Sequence, residues 1–173
     1  MYGILKKVIT TPRVVMPKSE CAATTSREEI GRRLERAHRA LGRSLAIREV
    51  AAGSSNAEEL ELTALSNPFY DIERFGVSFV ASPRHADALF VTGPVARNMA
   101  EPLRRTYEAM PDPRIVVAVG NAAIDGGIFR GSYAIAGAVK DVIPVDFEIS
   151  GDPPSPRATI AALVAIMERL RSA

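Results

Sequence analysis

Three loops gather most of the residues of this chain that could do chemistry. The first is Gly53-Ser54-Ser55-Asn56, followed at once by the acids Glu58, Glu59 and Glu61. The second runs from Gly120 to Asp125-Gly126-Gly127, and the third is Gly151-Asp152-Pro153-Pro154-Ser155-Pro156. Each follows an apolar, strand-like run: residues 45–50, 115–119 and 142–145. In a parallel sheet the carboxyl ends of strands share one edge, and open α/β proteins place their sites there. The available groups are hydroxyls, amides and carboxylates. A Gly-Gly pair suggests a phosphate cradle, but Gly126-Gly127 lacks the Lys and Ser/Thr of a P-loop and reads as a tight turn. A further loop, Ala81-Ser82-Pro83-Arg84-His85, adds a guanidinium and an imidazole. The single cysteine, Cys21, lies outside these loops and excludes both an internal disulfide and a multi-cysteine metal site.

The elements that would position these loops alternate between strand and helix. Strands are expected at 45–50, 77–80, 88–91, 115–119 and 142–145. Helices are expected at 57–65, from the Thr92-Gly93-Pro94 turn to Met110, and at 155–170. Ser55 or Asn56 is expected to cap the 57–65 helix, whose early acids suit its dipole. Ser155-Pro156 reads as N-cap and first helical residue of the last helix. This alternation predicts a doubly wound, mainly parallel, flavodoxin-like α/β sheet of four to five strands. An earlier helix, 26–42, opens on a capping box of Ser26 and Glu29. Its solvated face carries His38, which reads as an ordinary surface side chain.

Composition narrows the class. The chain has 173 residues, fits one domain at 21–173, and is 47% apolar, enough for a substantial core. A net charge of +2 forces no broad polyanion-binding surface, so nucleic acid is not an expected partner. The basic residues are mostly Arg, the better partner for interfacial carboxylates. No apolar run approaches the roughly 20 residues needed to span a bilayer, and no secretory leader is evident. Residues 1–20 read as an arm. Lys6, Lys7, Arg13 and Lys18 alternate there with apolar residues, and Pro12 and Pro17 break any continuous helix. Such a segment suits a membrane surface or a partner subunit.

Several motifs occur together in one order: NPFYDIERFG at 67–76, ASPRHAD at 81–87, TGPV at 92–95, YEAMPDP at 107–113, DGGIFRGSY at 125–133 and IPVD at 143–146. In these the chain resembles the small, cluster-carrying subunit shared by respiratory complex I, energy-converting nickel–iron hydrogenases and formate hydrogenlyases. The spacing of the first loop resembles the hydrogenase branch more than the complex I branch, which uses two adjacent cysteines. The resemblance covers about Leu45 to Met167.

The resemblance implies a [4Fe–4S] cluster held by four cysteines in the three loops, because each iron takes a soft anionic ligand. Carried onto this chain, those cysteines fall on Ser55, Glu58, Ala122 and Asp152, so no ligand is retained. The flanking Gly53, Gly120, Gly126-Gly127 and Pro153-Pro154-Ser155-Pro156 remain. The expectation is therefore a cluster-less structural subunit with no resident cofactor, metal or catalytic residue of its own. It would dock on a hydrogenase-like large subunit and on membrane subunits, peripheral at the cytoplasmic face. Whether such a chain counts as an enzyme is left open. The alternative is an oxidoreductase subunit that takes a quinone, flavin or other cofactor in the vacated cavity. A hard-cation site from Ser55, Glu58 and Asp152 is weighed against helix capping, dipole complementation and loop hydrogen bonding, and the latter reading prevails. Arg84 and His85 are expected to pair with Glu58 or Asp152 or to contact the large subunit.

Overall fold

A computed structural model describes residues 44–172. The arm at 1–20, Cys21, the 26–42 helix and His38 lie outside the described residues.

Two apolar runs set the centre of the fold. β3 (Ala88–Thr92) and β5 (Ile115–Val119) are buried at every position. Their sequences read as unbroken apolar stretches, the pattern of parallel strands covered on both faces. β1 (Leu45–Ala51), β2 (Val77–Phe79) and β7 (Phe147–Ile149) complete a five-stranded sheet in the order β2-β1-β3-β5-β7, and all its neighbours pair in parallel. A separate antiparallel ribbon joins β4 (Val95–Ala96) to β6 (Ile135–Gly137).

Alternate side chains of each strand point to opposite faces. Phe90, Val117, Val119 and Ile149 pack with Leu62 and Leu65 near helix α1 (Ala57–Ala64) and with Ile160, Leu163 and Met167 of helix α4 (Pro156–Ser172). Leu89, Val91, Val116 and Ala118 pack on the other face against Leu103 of helix α2 (Arg97–Glu108), Ala123 of the short α3 (Asn121–Asp125), and Val139. These layers confirm the doubly wound α/β reading.

Two local expectations are corrected. The last strand is Phe147–Ile149, not 142–145. Upstream of it the chain makes a 3-10 turn at Val139–Asp141, and Pro144 has no N–H to give a ladder. Pairing with β5 begins only at Asp146, whose N–H donates to the Val116 carbonyl at 2.9 Å while its carboxylate accepts the Val116 N–H at 2.8 Å. Ile143 is buried as part of a loop. Second, neither Ser55 nor Asn56 caps α1 with its side chain. Asn56 occupies the cap position at φ 71°, in the left-handed region that Asn tolerates, and serves as a sharp bend between β1 and α1. At the other end of the chain Ser155 does cap: its Oγ accepts the Ala158 N–H at 3.4 Å.

Candidate functional site at the carboxyl edge

β1 and β3 are adjacent in the sheet but are not consecutive in the chain. The order of connection reverses between them, and a crevice opens at such a point. Backbone bonds close the edge here. The Ala52 N–H donates to the Thr92 carbonyl at 3.0 Å, and the Ala96 N–H to the Ala52 carbonyl at 2.8 Å. A Cβ on Gly93 would collide with the Ser54 backbone, so only glycine lets the two loops approach this closely.

The second and third loops are tied as firmly. The Gly120 N–H donates to the Ile149 carbonyl at 2.8 Å, and the Asn121 N–H to the Gly151 carbonyl at 2.8 Å. The Gly151 N–H returns the bond to Asn121 Oδ1 at 3.0 Å. Glu58 then links the first loop to the second. It is 3% exposed, and its side chain lies against Gly120 so closely that a Cβ there would come within 2.8 Å of Glu58 Oε1. The three loops are thus one constellation, as the strand ends require.

Their side chains do not share one environment. Glu58 is buried, with Oε2 lacking a hydrogen-bond partner among the described residues. Ser55 and Asp152 are exposed, and Ala122 is half-buried. Arg84 and His85 sit exposed on a 3-10 turn, Pro83–His85, and neither pairs with Glu58 or Asp152 among the described residues. Glu58 is turned inward against Gly120, which takes it away from Arg84 and His85 on their exposed turn.

The structure adds a polar knot beside the first loop. Glu59 Oε1 accepts hydrogen bonds from the Ser54 and Thr92 hydroxyls, while its Oε2 is buried without a partner among the described residues. Burial raises the Glu49 pKa, the nearby Glu59 charge adds to the rise, and Arg48 opposes it. Sequence reasoning missed this knot. Its one visible sign was Thr92, a hydroxyl at the end of the otherwise apolar run of β3.

The donor set does not fit an iron–sulfur cube. Ser55, Glu58, Ala122 and Asp152 offer a hydroxyl, a methyl and two carboxylates, none of them a thiolate, and the Glu58 carboxylate is packed against Gly120. No group of three or more His, Cys, Asp or Glu among the described residues is arranged to hold a metal ion.

Comparison with known proteins gives a consistent relationship. The family model of the NADH ubiquinone oxidoreductase 20 Kd subunit matches residues 56–166. The probable membrane-bound hydrogenase subunit mbhJ of Pyrococcus furiosus is 39% identical over 84% of this chain and 87% of its own length. A chain of the membrane-bound sulfane sulfur reductase, an archaeal respiratory membrane complex, superposes with a TM-score of 0.68 at 33% identity, covering 80% of this chain and 76% of that one. The [NiFeSe]-hydrogenase of Dm. baculatum superposes with a TM-score of 0.60 at 17% identity over 74% of this chain and 63% of that one, which bears on the fold alone.

Proposed function

The chain belongs to the NADH ubiquinone oxidoreductase 20 Kd subunit family, and from that premise we propose that it is a structural subunit, without an iron–sulfur cluster, of a membrane-bound hydrogenase-like or complex I-like assembly. It docks on a hydrogenase-like large subunit and on membrane subunits, peripheral at the cytoplasmic face. Among the described residues no helix is long and apolar enough to cross a membrane, so attachment through companion subunits suits this role. Electrons do not pass through this chain. The assembly couples some other step, such as ion movement, to its partners.

One observation carries the reading. Backbone bonds hold the loops in place, the Gly120–Ile149 bond and the reciprocal Asn121–Gly151 bonds among them, while the four positions that the family resemblance assigns to ligands lack sulfur. A cube needs four soft anionic ligands, and Ser55, Glu58, Ala122 and Asp152 supply none. The inward turn of Glu58 also counts against a vacated cavity that takes a flavin or quinone.

The test is elemental and optical. The purified chain, incubated anaerobically with ferrous iron and sulfide and then desalted, is expected to retain neither iron nor acid-labile sulfide and to stay colourless. Stoichiometric iron with sulfide would overturn the proposal. A bound flavin spectrum would replace it with the cofactor-binding alternative.

A further inference from the structure

The stretch from Asp125 to Asp141 carries features that the three-loop site does not use. It leaves α3, makes a 3-10 turn at Gly127–Phe129, forms β6 and ends in the turn at Val139–Asp141. A pocket of about 290 Å³ lies within it, lined among others by Asp125, Arg130, Ile135, Lys140 and Asp141. Interleaved along the same stretch are three exposed large apolar side chains: Ile128 at 91%, Tyr133 at 89% and Phe129 at 44% exposure. Scattered exposed apolar residues are ordinary, but three on one short segment beside a recess mark an interaction surface.

The charges say what fits. Asp125 and Asp141 each turn one carboxylate oxygen to the backbone: Asp125 Oδ1 accepts the Gly127 N–H at 2.8 Å, and Asp141 Oδ2 accepts the Ala138 N–H at 2.8 Å. Arg130 and Lys140 form no ion pair among the described residues. Arg97 is exposed and likewise unpaired among them, and its backbone N–H is bound to the Ala134 carbonyl at 2.9 Å, which places it beside this stretch. Three available cations thus accompany the apolar side chains, and two of them line the recess. A guanidinium presents a planar fork that matches a carboxylate.

We propose that this surface docks a segment of a companion protein subunit, whose acidic side chain enters the pocket and pairs with Arg130 and Lys140 while its apolar neighbours cover Ile128, Phe129 and Tyr133. Asp125 and Asp141 keep the recess near neutral beside Arg130 and Lys140, so it suits one paired carboxylate better than a densely anionic lipid surface. The inference rests on the proposed role as a docked subunit and names where and by what chemistry docking occurs.

The experiment uses the assembly solubilised from membranes. A water-soluble carbodiimide joins an amine to a carboxylate with loss of water and no spacer, so it captures only groups already in contact. Mass spectrometry is expected to find Lys140 joined to an Asp or Glu of another subunit. The double variant R130E/K140E is expected to retain at least about tenfold less of that subunit. Its melting temperature should be unchanged, since both side chains are exposed. Links from Lys140 only to Asp125 or Asp141, with full retention of companions by the double variant, would overturn the inference. So would loss of binding to phosphatidylglycerol vesicles in the double variant with companion retention intact, which would assign the surface to lipid. Should the double variant fail to fold, the Lys140 linkage in the parent still decides. Recovery of the parent chain with no companions at all would instead sink the proposed function itself.

Discussion

Glu58, in the first turn of α1, and Asp152, in the loop after β7, are carboxylates at the same edge of the same sheet, and they live in opposite surroundings. Glu58 is 3% exposed, lies against Gly120 and leaves an oxygen without a partner among the described residues. Asp152 is exposed. Its loop takes its position from neighbouring residues, through the reciprocal bonds between Gly151 and Asn121. The β1 loop has absorbed its carboxylate into the packing, whereas the β7 loop holds its shape whatever stands at 152. Two carboxylates at one sheet edge are therefore accommodated in two ways, one buried with an unpartnered oxygen among the described residues and one left in solvent.

The largest effect tests the frame that both share. A variant with Ser55→Cys, Glu58→Cys, Ala122→Cys and Asp152→Cys places four soft anionic ligands in loops already held by backbone bonds. After anaerobic treatment with ferrous iron and sulfide it is expected to turn brown and to give a paramagnetic signal on reduction, whereas the parent stays colourless. A colourless variant that remains folded would show that the loops do not hold the spacing of a cube.

Next in size is Gly120→Val. Position 120 has φ 92°, and a Cβ there meets Glu58 Oε1 at 2.8 Å. Backbone strain and overpacking together predict a loss of about 3 kcal/mol, read from urea unfolding. In a Glu58→Ala background the overpacking part should vanish and the loss should shrink. Equal losses in both backgrounds would separate Glu58 from Gly120 and dissolve the contrast with Asp152.

A smaller effect sharpens the contrast directly. Glu58→Met keeps much of the side-chain volume and removes the unpartnered oxygen, so it should stabilise by about 1 kcal/mol. Asp152→Ser should stay within about 0.5 kcal/mol of the parent. Destabilisation by Glu58→Met would mean that the carboxylate has a partner in solution.

Much of this arrangement was legible in the chain itself. Buried runs such as ALFVT and IVVAV could only be central parallel strands, and that fixed where the loops must gather. The motifs from Asn67 to Asp146 led to the family, which the comparisons bear out. The last strand was misplaced because residues 142–145 are as apolar as a strand. Only the long-range bonds of Asp146 to Val116 reveal that pairing starts later. The orientation of Glu58 was equally hidden. Two residues of one helix turn, Glu58 and Glu59, take different partners, and tertiary packing against Gly120 and Thr92 decides which goes where. The knot around Glu59 joins positions more than thirty residues apart, a distance that no local pattern records.

The mildest effect follows from Glu49, which flanks this knot from inside β1. Burial and the Glu59 charge raise its pKa, so the folded state holds the proton more tightly than the unfolded chain does. Below the ordinary carboxylate range both states are protonated, and Glu49 costs the fold nothing. Above its raised value both are ionised, and the full cost is present. Between those limits stability must fall as pH rises. Glu49→Gln removes the titration, so the stability difference between variant and parent should grow with pH across that interval and level off above it. Urea midpoints measured for both proteins between about pH 4 and pH 8 would show this. Curves that stay parallel throughout would mean that Glu49 is solvated in the folded chain, and that the packed character of the first loop stops at Glu58 without reaching the knot beside it.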